Sequence, residues 1–467
     1  MGIGGAALGS LAELLQDLGY RVRGADNVSL RPSYGVVDDR ESPVPDARAD
    51  DAVQPQPDLV VVGEEICPGD DEATALLASN VPYTSMPALL GEAFVKPAHS
   101  IVVAGTHGKT TTTALTAWLL DVVGFDPGFV VGGAVANFGR DARAGSRTHI
   151  VIEGEERDTA FFDNRPKFAH YPAKTVILTS VAFDPAGTYR DLDQVKDAFR
   201  MLVRAIPDDG VLIARWDDAN VRDVAAEARC EVWRYGPTHA WDGRILDVDP
   251  HTGRMRFQLT HNGQPLGMFE SCMGGTHNLY NQVAAAAAAV RSGATAEHLT
   301  EGFATFGGIK RHQEVIGEPA QITVIDDVAH HPTAVRVTLE ALRLRYGGRR
   351  LWAIWEPHSA TSQRNGSPSA YTEAFDAADQ VVLAEPSDNA SLAEGEGEGF
   401  SSSGLAEALT QRGVDAITLP DTEAILDVVV ARARPMDIIA ILTHGAFDGL
   451  HQRLVDGLEA RFGTPIP

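Results

Sequence analysis

The run Gly105-Thr106-His107-Gly108-Lys109-Thr110-Thr111 constrains this chain more than any other stretch. It follows the apolar segment Ile101-Val102-Val103-Ala104. It precedes Thr113-Ala114-Leu115-Thr116-Ala117-Trp118-Leu119-Leu120, a segment of helical composition. Strand, glycine loop and helix in that order form the layout that cradles the phosphates of a nucleotide. Gly105 and Gly108 let the backbone bend so that several amide groups point at the anion. Lys109 is placed to reach the β- and γ-phosphates, and the Thr110 hydroxyl to hold Mg²⁺. The spacing is GxxGKT, shorter than the general GxxxxGK[ST] pattern. A glycine-rich turn with a solvated lysine is the plain structural alternative.

A chain of 467 residues is too long for one core and predicts about three domains. Its cysteines, Cys67, Cys230 and Cys272, are widely spread and form no CxxC pair. That usage fits a reducing cytoplasm and argues against a cysteine metal site. The net charge of −25 argues against general nucleic-acid binding. It also means that an anionic substrate needs a locally positive pocket. No apolar run is long enough to span a membrane, and no charged segment with a following apolar core marks an export signal.

Residues 2–9 are Gly-Ile-Gly-Gly-Ala-Ala-Leu-Gly, followed by a helical pattern through Leu11, Leu14, Leu15 and Leu18. A strand-like Tyr20-Arg21-Val22-Arg23-Gly24-Ala25-Asp26 comes next. Gly2, Gly4, Gly5 and Asp26 therefore read as the glycine turn and acid of a dinucleotide-type βαβ unit. A tight turn with close helix packing is the alternative. The strand expected before Gly2 is missing, so the chain is expected to start late. Asp58-Leu59-Val60-Val61-Val62-Gly63 reads as a buried parallel strand, and Lys96-Pro97-Ala98 as a hinge. Strands are expected at 148–153, 175–180 and 211–214, with helices at 191–205 and 279–292. An antiparallel insertion is expected over 230–270. A third unit carries strands at 321–326, 350–355, 379–384 and 437–442, with helices near 333–346, 370–377 and 403–411. Residues 394–403 read as a mobile acidic loop. Alternating strands and helices of these lengths predict an α/β protein with mainly parallel, doubly wound sheets.

Three further groups carry chemistry. Glu153 ends the strand His149-Ile150-Val151-Ile152, where a Mg²⁺ ligand belongs in an α/β nucleotide domain; a solvated acidic loop is the alternative. Asn278 and Asn281, in Thr276-His277-Asn278-Leu279-Tyr280-Asn281, lie one turn apart on an alanine-rich helix and suit an adenine edge; Asn278 is also a natural N-cap. Asp326-Asp327-Val328-Ala329-His330-His331-Pro332 ends a strand before a proline-started helix. There Asp327 can accept from a ribose hydroxyl and His330 can contact a reacting phosphate or amine. Arg311, just upstream, can steady a γ-phosphate.

Taken together, GTHGKTT, THNLYN and DDVAHHP follow the order and approximate spacing of the Mur ligases, and the chain resembles that family over essentially its whole length. Asp158–Asp163, Lys167–Tyr171, Glu356–Ser362 with Arg364-Asn365, and Gly445–His451 resemble the branch that adds a whole tripeptide. The resemblance implies three domains: a Rossmann-like first domain (1–95) for a UDP-sugar, a central ATPase-like domain (96–313), and a Rossmann-like third domain (314–467) for the incoming peptide. It implies ATP and Mg²⁺ as cofactors and a cytoplasmic setting. The implied activity is ligation of L-alanyl-γ-D-glutamyl-meso-diaminopimelate to UDP-N-acetylmuramate through an acyl phosphate, in peptidoglycan recycling. Lys109 and His330 would be catalytic, and Thr110 and Glu153 would hold the metal. Residues 105–111, Asn278, Asn281, Arg311 and Asp327 would hold ATP.

The chain also departs from the family pattern. Ala182 and Pro185 stand where an acid and a metal-binding histidine are usual. Gly63-Glu64-Glu65 stands for Gly-Asn-Ala, His358 and Gln363 for arginines, and His444 for an asparagine. A ligase acting on another acid and amine, or a nucleotide-binding protein without ligation, remain the alternative expectations.

Overall fold

The apolar runs become neighbouring parallel strands. A computed structural model describes residues 1–2, 6–25, 46–47, 56–183, 188–249, 252–357, 368–385 and 401–463. Gly4, Gly5, Asp26, Pro185, His358, Gln363 and residues 394–400 of the expected acidic loop lie outside the described residues.

The larger sheet has ten strands. Its order is Gln264–Ser271, Met255–His261, Trp241–Val248, Glu231–Tyr235, Val211–Arg215, Thr175–Leu178, His99–Ala104, His149–Gly154, Gly128–Val135 and Arg140–Arg143. Ile101, Val102, Val103 and Ala104 are fully buried, as expected of a parallel strand covered on both faces. The antiparallel insertion expected over 230–270 needs correction. Glu231–Tyr235 runs parallel to Val211–Arg215 and simply extends the array. Antiparallel pairing begins at Trp241–Val248, which neighbours Met255–His261, with Asp249 N donating to Arg254 O and Asn262 N to Ala240 O; Asn262 and Gly263 (φ 51° and 75°) then make the two-residue turn between Met255–His261 and Gln264–Ser271. Positive φ at both positions is the demand that Asn-Gly meets.

Chain contacts divide the protein into two units. The first comprises Met1–Arg244, Phe257–Glu270 and Asn278–Gly307; the second comprises Ile245–Arg256, Ser271–His277 and Gly308–Pro467. Within the first, Leu8, Leu11 and Leu14 of the helix Ala6–Asp17 share a core with Phe94, Val102, Ile152 and Phe168. A smaller core, Val60, Val62, Ile66, Ala73 and Leu76, sits under the parallel pair Val60–Val62 and Tyr83–Ser85. The helix Thr276–Arg291 buries Ala284 through Ala289 completely. Such small side chains allow close approach of the backbone. Gly243 shows this: a Cβ there would stand 2.8 Å from Val283.

The second unit carries a six-stranded sheet in the order Glu314–Gly317, Thr323–Asp327, Ile438–Leu442, Leu351–Trp355, Gln380–Ala384 and Asp415–Leu419. All pairs are parallel except the first, which is antiparallel. The chain crosses from Thr323–Asp327 to Leu351–Trp355 past the later strand Ile438–Leu442. This creates a switch point at the carboxyl ends of these strands, the usual place for a site in such a sheet. Ser402 and Ser403, read as loop, instead open the helix Ser402–Gln411, with Ser401 as its N-cap accepting from Gly404 N. Likewise Asn278 is not the N-cap of its helix, which starts at Thr276.

Gly105 sits at φ 135°, and a Cβ there would stand 2.2 Å from Thr179 Oγ1. Gly105→Ala is therefore expected to cost about 2–3 kcal/mol of stability through strain and overpacking, read as a lowered denaturation midpoint in urea. An unchanged midpoint would contradict this placement.

Candidate active site

The parallel register of His99–Ala104 with His149–Gly154 pairs Val103 with Glu153. The loop that follows the first strand and the carboxylate that ends the second are thus brought together. Gly108, at φ 81°, caps the helix Lys109–Val123. The loop is stitched to the end of the neighbouring strand. Thr106 N donates to Ser180 O at 3.1 Å, and His107 N to Ser180 Oγ at 2.9 Å. Thr179 Oγ1 donates to His107 O at 2.6 Å. Ala182 donates its N–H to Thr106 Oγ1 at 2.9 Å and accepts from that hydroxyl at 3.1 Å.

Thr110 Oγ1 donates to Glu153 Oε1 at 3.0 Å, and Gly132 N to Glu153 Oε2 at 2.9 Å. Burial first, and the Glu155 charge second, push the Glu153 carboxyl above its usual range, against the opposing pull of Lys109 and these two hydrogen bonds. A Cβ on Gly132 would stand 3.0 Å from Glu153 Oε2 and 3.4 Å from Thr110 Oγ1, so glycine keeps space open beside this oxygen pair. A half-buried carboxylate held beside a hydroxyl suits a hard cation such as Mg²⁺, which takes few protein ligands and shares the rest with phosphates and water. No cluster of three or more His, Cys, Asp or Glu side chains competes for that role among the described residues.

Lys109 Nζ donates to Gly105 O at 2.6 Å and pairs with Glu156 Oε2 at 3.0 Å. Asn281 Nδ2 donates to Asn278 Oδ1 at 3.2 Å. Asn281 also abuts the loop, since a Cβ on Gly108 would stand 2.6 Å from its Oδ1. The structure thus brings residues 105–111, Glu153, Asn278 and Asn281 together in one unit.

Arg311, Asp327 and His330 belong to the other unit, at the switch point of its sheet. Arg311 pairs with Asp326 at 3.2 Å and donates to the carbonyls of Thr443 and Gly445, both at 2.9 Å. Asp327 accepts from Gln313 N and Ala329 N, both at 2.8 Å. His330 Nδ1 lies 2.8 Å from Val328 O, and its ring meets that of His444 edge to face at 5.0 Å. His331 is the N-cap of Pro332–Tyr346.

Residues 103–289 match the family described as Mur ligase middle domain, and residues 311–445 match Mur ligase, glutamate ligase domain. A UDP-N-acetylmuramate–L-alanyl-γ-D-glutamyl-meso-2,6-diaminoheptandioate ligase from Escherichia coli K12 is 34% identical, over 99% of this chain and 98% of the relative. The chain belongs to the Mur ligase family. A UDP-N-acetylmuramate–L-alanine ligase from Variovorax paradoxus is 32% identical, over 98% of this chain and 94% of its own. The crystal structure of a murein peptide ligase from Psychrobacter arcticus superposes with a TM-score of 0.68 at 31% identity, covering 98% of this chain and 97% of that one. The alanine ligase of Thermotoga maritima shares the fold, with a TM-score of 0.77 at 19% identity and 98% of each chain covered.

The roles of two residues of this Mur ligase escaped the sequence reading. Glu156 holds the loop lysine, and Lys167 is a buried cation between Glu155 and Glu64. Their only sequence signal was the density of acids in Glu153–Asp158, and spacing alone does not say which acid meets which cation.

Two groups in the second unit carry opposite pH dependence. Burial pushes Asp327 from 3.8 to about 7, its backbone hydrogen bonds opposing. Between those values the folded chain holds a proton that the unfolded chain has lost, so stability falls as pH rises. Desolvation, then the Arg311 charge, pull His312 from 6.5 to about 4, with Asp326 opposing. There the unfolded chain holds the extra proton, so stability rises with pH. In wild type the two contributions oppose each other between pH 4 and 6.5. Asp327→Asn leaves His312 alone. The gain in stability from pH 4.5 to 6.5 is then expected to exceed the wild-type gain by about 2 kcal/mol, measured by urea denaturation at roughly those two pH values. Equal gains in the two proteins would refute the assignment.

Proposed function

We propose that this Mur ligase uses ATP to join the muramyl carboxylate of UDP-N-acetylmuramate to the amine of L-alanyl-γ-D-glutamyl-meso-diaminopimelate. The supporting observation is the full-length likeness to the Escherichia coli enzyme of that name, together with an intact phosphate loop beside Glu153. In this reading residues 1–95 take the UDP-sugar, 96–313 take ATP and 314–467 take the peptide. The protein works in the cytoplasm on small molecules; among the described residues no helix is long and apolar enough to cross a membrane.

A carboxylate oxygen attacks the γ-phosphorus of ATP, the bond to the β-phosphate oxygen breaks, and ADP leaves. The peptide amine then attacks the acyl carbon. The tetrahedral intermediate collapses with loss of phosphate, and the amine's proton goes to a base. Positioning and charge neutralisation dominate both steps. Lys109 leaves Glu156 to neutralise the moving phosphoryl group, and the helix start at Gly108 and Lys109 cradles the phosphates, the amides of Thr106 and His107 being used on Ser180. Mg²⁺, when bound, offsets charge on the phosphates; Thr110 and Glu153 would hold it. Asn278, Asn281, Arg311 and Asp327 would hold ATP. His330 keeps Nδ1 against the Val328 carbonyl, which leaves Nε2 as the acceptor for the amine.

A second reading takes L-alanine as the amine, because ligases of that name also match over nearly the whole chain. Phosphate release with Mg²⁺, ATP, UDP-N-acetylmuramate and either tripeptide or L-alanine decides between them. The expected outcome is release that requires both acid and tripeptide. Lys109→Ala is expected to lower kcat by roughly 10²–10³. No release above that variant would refute ligation, and release needing neither substrate would mark a plain ATPase.

A further inference from the structure

A small cleft in the first unit is lined by Leu8, Gly63, Glu64, Glu65, Pro87 and Lys167, among others. Two of its features favour an anion. The helix Ala6–Asp17 begins there, with Leu8 of its early turns on the wall, and a helix start carries partial positive charge. Lys167 adds a full charge on a side chain only 9% exposed.

That ammonium is already shared. Glu155 contacts it from the phosphate-loop side and Glu64 contacts it at 2.7 Å. Glu155 alone would neutralise Lys167; Glu64 brings the triad to a net negative charge. Glu65 adds another carboxylate, its Oε2 3.4 Å from where a Cβ on Gly2 would stand. The two partners of Lys167 are not equivalent. They are similarly exposed, 36% for Glu155, but differ in place: Glu64 lines the cleft and Glu155 does not. An incoming anion therefore meets the Glu64 side of the ammonium and leaves the Glu155 contact in place. The Glu64 side chain is 43% exposed. It can swing into water at little cost, since exposed ion pairs contribute little, while Lys167 keeps Glu155.

We propose that Glu64 is a built-in competitor for the acid substrate: it occupies the Lys167 ammonium until an anionic group of that substrate displaces it, and so sets the affinity of the cleft. The proposal rests on the reading of residues 1–95 as the acid-substrate module. The exchange makes and breaks no covalent bond; one anion replaces another at the same N–H donors. Because Glu155 stays paired throughout, the exchange does not disturb Glu153 or Glu156 of the same segment. The effect therefore falls on substrate binding rather than on the phosphoryl-transfer step.

Calorimetric titration of the full chain with UDP-N-acetylmuramate tests this. Glu64→Gln is expected to bind about tenfold more tightly than wild type, with a matching fall in KM and the change confined to KM rather than kcat. Glu64→Asp, which restores the charge, is expected to return affinity towards the wild-type value. Ligand-free melting curves confirm that the variants fold. Equal or weaker binding by Glu64→Gln, or binding by neither protein, would overturn the proposal. Tighter binding without acid- and peptide-dependent phosphate release would leave the proposal standing and sink the ligase reading. Normal wild-type ligation with an unaltered Glu64→Gln would do the reverse.

Discussion

Glu153 is a half-buried carboxylate whose position depends on strand register. The parallel alignment of His99–Ala104 with His149–Gly154 sets it opposite Val103, two residues before Gly105 opens the glycine loop. A slip of one residue would turn its side chain to the other face of the sheet and separate it from Thr110. In register, the Thr110 hydroxyl and the Gly132 amide both meet the carboxylate, so its desolvation is partly offset. Those contacts require the loop to fold back over the sheet, which Gly105 and Gly108 allow through positive φ. Strand register, loop shape and carboxylate position are therefore one condition rather than three.

The same four-residue segment distributes its charge in three directions. Glu153 faces the loop hydroxyl, Glu155 faces Lys167, and Glu156 faces Lys109. Both lysines are largely buried, and neither would be tolerable unpaired in a site of low polarity. The nucleotide loop and the N-terminal cleft consequently share a framework of ion pairs within one unit. The second unit solves a similar problem at the ends of its own strands. Asp327 uses both oxygens on backbone amides, and Arg311 uses its guanidinium on Asp326 and on carbonyls after Ile438–Leu442. These groups hold together the place where the sheet order reverses.

Much of this was readable from sequence because it depends on local pattern. The phosphate loop, its strand and its helix follow from glycine spacing between an apolar run and a helical run. The parallel strands of both sheets follow from short, continuously apolar segments separated by helices. The pairings of Lys109 with Glu156 and Lys167 with Glu64 were not readable. Their partners lie 47 and 103 residues apart, and four acids between Glu153 and Asp158 are chemically alike. The strand Glu231–Tyr235 was misjudged for a related reason. Four of its five residues are exposed or half-buried and only Tyr235 is buried, unlike the continuously buried parallel strands nearer the centre of the array.

By itself, the sequence determined which elements form, the strand, glycine loop and helix around residues 105–111 among them, because turn chemistry and hydrophobic periodicity are local properties. Likeness of sequence over the whole chain also determined the family. Only the tertiary structure decided which carboxylate meets which cation, that Asp327 is buried against amides, and that Glu64 stands on Lys167. Those outcomes depend on which distant segments are packed side by side, and on how much water that packing removes from each charge.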